Sequence, residues 1–247
     1  MLTTYSAGRL FAERFGTGPP TVIALHGWGR NRQDFTATLA GLDALAVDLP
    51  GFGLSPAPGE IWGTMEYAEH LIPVLDECPH PPIVVGHSFG GRVALRLGAH
   101  FPDRVSGLVL TGVPLLRRKS ARPAPPLPVR LGRALRRWNL VSDGLLNRVR
   151  NRYGSTDYRA AEGVMRSIMV RVVNEDYEQD LRKLRCPVQM VWGSADAEAS
   201  PEMAQTAAEI ISRADLMILP EIGHLLPISA PEHLRAAIDK LESPGNT

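Results

Sequence analysis

A serine held between glycines at two-residue spacing, Gly86-His87-Ser88-Phe89-Gly90, is the arrangement that lifts one hydroxyl onto a sharp bend. The run "PIVVGHS" ahead of it is apolar and β-rich, and "GGRVALRLGAHF" behind it has helical spacing. So tight a bend between strand and helix demands neighbours without bulky β-carbons, which Gly86 and Gly90 supply, while Gly91 adds close helix packing. The turn raises the hydroxyl above the sheet edge. It also aims the free N–H groups of the first helical turn at whatever the oxygen attacks.

A serine hydroxyl is a poor nucleophile at neutral pH, so it requires a base, and the base requires an orienting carboxylate. Asp196, in "VQMVWGSADAEAS", follows a strand within a short loop. His224, in "LPEIGHLLPISAPEHL", follows the last strand and precedes the final helix. Glu198 competes two residues beyond Asp196, but the "WG-x-x-D" frame favours Asp196. Among the other histidines, His70, His80, His100 and His233 fall in predicted helices or a proline-bounded loop. Asp48, in "DLPGFGLS", is expected to secure its glycine-rich loop through backbone N–H groups and is not assigned to the chemistry.

The elements that must position these residues alternate along the chain. "TVIALHG", "LDALAVDLPG", "PIVVGHS", "VSGLVLTG", "CPVQMVWGS" and "ADLMILPE" read as strands apolar on both faces, which belong in a parallel sheet covered by helices. "TMEYAEHLIPVLDE", "GGRVALRLGAHF", "PEMAQTAAEIIS" and "PEHLRAAIDKLE" read as helices, the last two with Pro in the first turn. The β-α-β-α order predicts an open α/β sheet. From Pro114 to Arg185 no strand is evident. There "RPAPPLPVR" reads as a stiff connector, and "LGRALRRWNLV", "DGLLNRVRNRY" and "YRAAEGVMRSIMVRVV" as amphipathic helices. The expected organisation is a core of residues 1–113 and 186–247 carrying an Arg-rich helical cap, 114–185.

Over nearly its whole length the chain resembles the α/β-hydrolase superfamily, through "HGWG" at 26–29, "DLPGFGLS" at 48–55, "GHSFGG" at 86–91, "WGSAD" at 192–196 and "GH" at 223–224. The resemblance implies that Ser88 is the nucleophile, His224 the general base and then acid, and Asp196 the group that fixes the imidazole tautomer, in the chain order Ser, Asp, His. It implies an oxyanion hole from the backbone N–H groups of Phe89 and Trp28, and structural roles for His26 and His87. Some members place the acid after the preceding strand, but "LTGVPLL" at 110–116 contains no carboxylate. Serine at the bend separates the chain from the aspartate-dependent branches and points to ester hydrolysis through an acyl-enzyme.

Three alternatives stay open: an esterase acting on an acyl-carrier-protein-bound ester, which the "HGWG…DLPGFGLS" stretch resembles; a carbon–carbon bond hydrolase of the meta-cleavage type, whose G-P-G-A run is replaced here by "GWGRNRQDF"; and a non-catalytic relative that binds small molecules.

At 247 residues and 44% hydrophobic, the chain can bury one large core. No segment approaches the roughly 18 apolar residues of a membrane span, and no leader pattern opens the chain, so a cytoplasmic location is expected. Cys78 and Cys186 are expected to be separate reduced thiols. The net charge of +1 conceals a division: residues 114–185 hold 17 Lys+Arg against 7 Asp+Glu, or +10, and the remainder 10 against 19, or −9. A basic cap suits an acidic carrier protein, while no aromatic interleaving or known motif supports nucleic acid. The expected partner is a small-molecule ester, and the expected cofactor and metal are none.

Overall fold

In the computed structural model, residues 1–116 and 161–242 are described. The connector "RPAPPLPVR" and the helices predicted over 131–141 and 143–153 lie outside them. In chain order the elements are β1 (Leu2–Tyr5), β2 (Leu10–Phe15), β3 (Val22–Leu25), β4 (Ala44–Asp48), α1 (Thr64–His70), α2 (Ile72–Leu75), β5 (Ile83–His87), α3 (Phe89–His100), β6 (Gly107–Thr111), α4 (Gly163–Val172), α5 (Glu178–Lys183), β7 (Val188–Gly193), α6 (Pro201–Ile210), β8 (Ala214–Leu219), α7 (Leu226–Ser229) and α8 (Pro231–Glu242). The strands form one sheet in the order β1-β2-β4-β3-β5-β6-β7-β8, parallel from β4 onward.

Side chains alternate across each strand, so the apolar runs feed two cores. Ile23, Leu25, Leu45, Val47, Val84, Leu108, Leu110 and Met190 face one side and pack with Tyr67 of α1 and Val93 and Leu97 of α3. Val22, Ala24, Ala44, Ala46, Val85, Val109 and Val191 face the other, against Phe35, Leu39 and the Leu234 and Ile238 stripe of α8. All six predicted strands are present.

Three local features differ from the periodicity. β1 and β2 form an antiparallel hairpin at the sheet edge, β2 pairing with β4. The stretch "TMEYAEHLIPVLDE" divides at Leu71 into α1 and α2, because Pro73 lacks an N–H and its ring crowds the carbonyl four residues back. β8 is an edge strand whose residues alternate between half-buried and exposed from Ala214 to Ile218 before Leu219 enters the core. The thiols of Cys78 and Cys186 are free. Among the described residues no helix is long and apolar enough to cross a membrane.

Asp48, at the end of β4, has no exposed surface. Its Oδ1 accepts the N–H of Arg32 at 2.9 Å, and its Oδ2 the Leu54 N–H at 2.9 Å and the Arg32 guanidinium at 2.5 Å. One buried carboxylate thereby ties the loop after β3 to the loop after β4. Removing half of a buried ion pair strands the other half, at a cost of about 3–5 kcal/mol. Asp48→Ala is therefore expected to lose about that much stability in urea unfolding, and Asp48→Asn less, since the amide can still accept one N–H.

Candidate active site

Ser88 sits between β5 and α3 with φ 50° and ψ −109°, one of the few non-glycine residues at positive φ. Such a conformation costs about 1–3 kcal/mol and persists only where its surroundings impose it. Here they do. A β-carbon on Gly90 would lie 2.2 Å from the Leu25 carbonyl oxygen, and one on Gly86 would lie 2.5 Å from the Cα of Gly91. The Ser88 N–H donates to the Thr111 carbonyl at 3.0 Å and the Gly90 N–H to the His26 carbonyl at 3.0 Å, fastening the bend to strands on both sides.

Asp196 follows β7 and is 4% exposed. Its Oδ1 accepts the N–H groups of Glu198 and Ala199, both at 2.9 Å, and its Oδ2 lies 2.8 Å from Nδ1 of His224. Burial alone would raise its carboxyl, but the hydrogen bonds from His224 and the Ala199 and Glu198 amides outweigh that and hold it below the ordinary carboxylate value. The loops that carry the pair are laced together: Ser194 N–H donates to the Leu219 carbonyl and Ala195 N–H to the Ile222 carbonyl. Gly112, at φ +59°, makes room beside them, for a β-carbon there would stand 3.1 Å from the His224 ring and 3.3 Å from Asp196 Oδ2.

His87, the residue before Ser88, donates from Nε2 to the His224 carbonyl at 2.9 Å, and the two rings lie 4.9 Å apart. The strand end that carries Ser88 thus touches the loop that carries His224. His26 is buried with Nε2 accepting the Leu49 N–H at 3.0 Å, which leaves its proton on Nδ1, 2.7 Å from the Gly27 carbonyl. Both rings hold neighbouring loops in place. The other histidines stand elsewhere, His100 on Asp180, His233 on Glu232 and His70 against Trp62.

Trp28 occupies a turn closed by the Arg30 N–H on the Gly27 carbonyl at 3.2 Å, with Gly29 at φ +69°, so its own N–H takes no part in that bond. Phe89 opens α3, where the first amides lack acceptors within the helix. The Trp28 ring meets the edges of Phe52 at 4.9 Å and Phe89 at 5.3 Å. A pocket of about 270 Å³ lies against this cluster, lined by Trp28, Gly51, Phe52, Ala161, Glu162 and Met165.

The structure brings Asp196 directly onto the His224 ring, and the residue before Ser88, His87, onto the His224 backbone carbonyl. Sequence reading missed two features of the site. Glu198, weighed only as a substitute acid, stands 3.4 Å from the other imidazole nitrogen, Nε2. Gly112 carries no signal in sequence beyond following a strand.

Residues 22–237 match the model of the Alpha/beta hydrolase family. Esterase Rv0045c of Mycobacterium tuberculosis is 44% identical over 111 residues, 43% of this chain, and the match spans 37% of that protein's length. The pimeloyl-(acyl-carrier protein) methyl ester esterase of Aromatoleum aromaticum is 29% identical over 250 residues, covering 89% of this chain and 97% of the relative. The structure of a thermophilic esterase from Thermogutta terrifontis superposes with a TM-score of 0.66 at 24% identity, over 99% of this chain and 97% of that one, a likeness of fold.

Burial pushes both His26 and His87 down to about 4, so both rings are neutral near pH 7. A folded-state value below the unfolded one of about 6.5 gives stability that is complete above pH 6.5 and lost as pH falls toward 4. Urea unfolding is expected to show a decline between pH 7 and pH 5 of about 2 kcal/mol for each ring, and His87→Gln to flatten its share.

Proposed function

Because the chain belongs to the Alpha/beta hydrolase family, we propose that it hydrolyses carboxylic esters through an acyl-enzyme on Ser88. The observation that carries this reading is the 2.8 Å Asp196–His224 contact, joined through the His87–His224 carbonyl bond to the strand end that bears a serine at positive φ. Asp196 accepts the Nδ1 proton, which leaves the Nε2 lone pair to take the proton of the Ser88 hydroxyl as its oxygen attacks the ester carbonyl. The developing oxyanion is received by the amides of Trp28 and Phe89; donors of this kind are worth about 2.7–4 kcal/mol each where they have been removed. Collapse breaks the bond to the alkoxy oxygen, which departs as alcohol with the proton from His224. Water then attacks the acyl-serine, giving up a proton to His224, and the acid leaves as Ser88 recovers its hydrogen.

The pocket beside Trp28 and Phe52 takes part of the substrate. It adjoins Trp28, whose amide is one of the two proposed oxyanion donors. Residues 114–185 form the cap in this reading. The two free thiols support a cytosolic setting.

A second reading concerns the source of the ester. The relative from Aromatoleum aromaticum, matched over 89% of this chain, is named for an ester carried on acyl-carrier protein. The +10 charge of residues 114–185 suits an acidic carrier. If the carrier docks there, raising salt from 50 to 500 mM will slow hydrolysis of carrier-bound ester several-fold more than that of a free ester, because exposed charge attraction is screened; identical salt profiles would remove the carrier.

The main reading is tested with p-nitrophenyl butyrate and a fluorophosphonate label. Ser88→Ala is expected to abolish labelling and lower kcat by at least about 10⁴-fold, and Asp196→Asn to lower it by roughly 10³–10⁴-fold. Equal rates from wild type and Ser88→Ala, both folded, would turn the reading toward a binding protein.

A further inference from the structure

The imidazole of His224 stands between two carboxylates of the same loop. Asp196 Oδ2 lies 2.8 Å from Nδ1 and its side chain is 1% exposed. Glu198 Oε2 lies 3.4 Å from Nε2 and its side chain is 67% exposed. The backbone beneath Glu198 is pinned, since Asp196 Oδ1 accepts its N–H at 2.9 Å and Trp192 Nε1 donates to the Ala199 carbonyl at 2.8 Å. Asp196 thus turns the loop so that Glu198 reaches back over the far side of the ring. Nε2 is also the nitrogen that must face Ser88 when the hydroxyl gives up its proton.

We propose that Glu198 is a positioning residue acting through His224: its carboxylate pairs with Nε2 whenever the ring is protonated, and that pairing must be released before the neutral Nε2 serves Ser88. The proposal rests on the reading of His224 as the base. Two consequences follow from charge. An anion beside Nε2 favours the imidazolium, so the resting base is more readily protonated at mildly acidic pH and less available there. A substrate with its own negative charge near Nε2 meets a like charge, whereas a neutral ester does not.

Both imidazole nitrogens face a carboxylate. Asp196 is on Nδ1 and Glu198 on Nε2. His87 lies 4.9 Å away, kept neutral by burial with its value pushed down to about 4, and donates to the His224 carbonyl. Gly112 adds no side chain. Asp196 is buried and His87 is neutral, whereas the Glu198 side chain is 67% exposed and is a contact that substrate can move.

The test compares wild type, Glu198→Gln and Ser88→Ala on p-nitrophenyl butyrate and on the mono-p-nitrophenyl ester of glutaric acid, whose acyl chain ends in a carboxylate. Gln keeps the size of Glu and removes the charge, and the position is exposed, so the variant is expected to fold as wild type. In Glu198→Gln the acid limb of kcat/KM moves to lower pH, and the pH 6 to pH 8 activity ratio rises about two- to five-fold, the range set by exposed ion pairs. Preference for the neutral over the anionic ester falls by a similar factor, and this difference shrinks in high salt. Titration of the His224 ring by NMR shows the same direction without reliance on turnover. The same acid limb, ring titration and ester preference in Glu198→Gln and wild type, with Ser88→Ala inactive, would overturn the role of Glu198 alone. A fully active Ser88→Ala would instead bring down the premise about the base, and this proposal with it.

Discussion

Between the end of β5 and the start of α3 the backbone has one residue in which to turn, with the Leu25 carbonyl occupying the space that a side chain on Gly90 would need. Ser88 absorbs that crowding as positive φ. The strain is held by neighbours, since amides at the bend donate to carbonyls of β6 and of the loop after β3. Loosening either strand would let the serine relax into an ordinary conformation. The sheet is in this sense the clamp on the hydroxyl, and the two apolar cores on its faces are what keep the clamp shut.

Around this point the polar groups form three fastenings with different physics. Asp48 is a buried charge satisfied by a guanidinium and two amides, and it couples the loops that carry Trp28 and Phe52. His26 and His87 are buried and neutral, each fixed by contacts to backbone groups. Asp196 and His224 meet as partners at the loop junction, where the carboxylate also orders its own turn. Only the last has a ring nitrogen directed toward a solvent-exposed side chain, that of Glu198. Chemistry needs a group that is held on one side and accessible on the other, and this ring has that asymmetry.

Much of this was legible in sequence because the signals were backbone requirements. Glycines at 86, 90 and 91 and apolar runs of strand length are demanded by geometry and survive without knowledge of packing, while the acid and the histidine after the last two strands were read from the chemical needs of a serine and from the resemblance. The N-terminal hairpin was not legible. β2, "LFAERF", mixes helix formers with a half-buried pattern and gains its strand conformation from pairing with β4, a tertiary effect. The break at Leu71 follows from Pro73 and could have been read. The approach of Glu198 to Nε2 could not, because it depends on how Asp196 folds its own loop.

β6 and β7 lie side by side in the sheet, paired from Leu108 to Leu110 with Val188 to Met190, although more than seventy residues of chain separate them. The polypeptide departs and re-enters at adjacent points, and the entropy of closing such an excursion grows only with the logarithm of its length. That junction is a natural graft point. The part of the excursion that can change is bounded, because Ile168, Val172, Leu181 and Leu184 on its returning limb belong to the core on one face of the sheet.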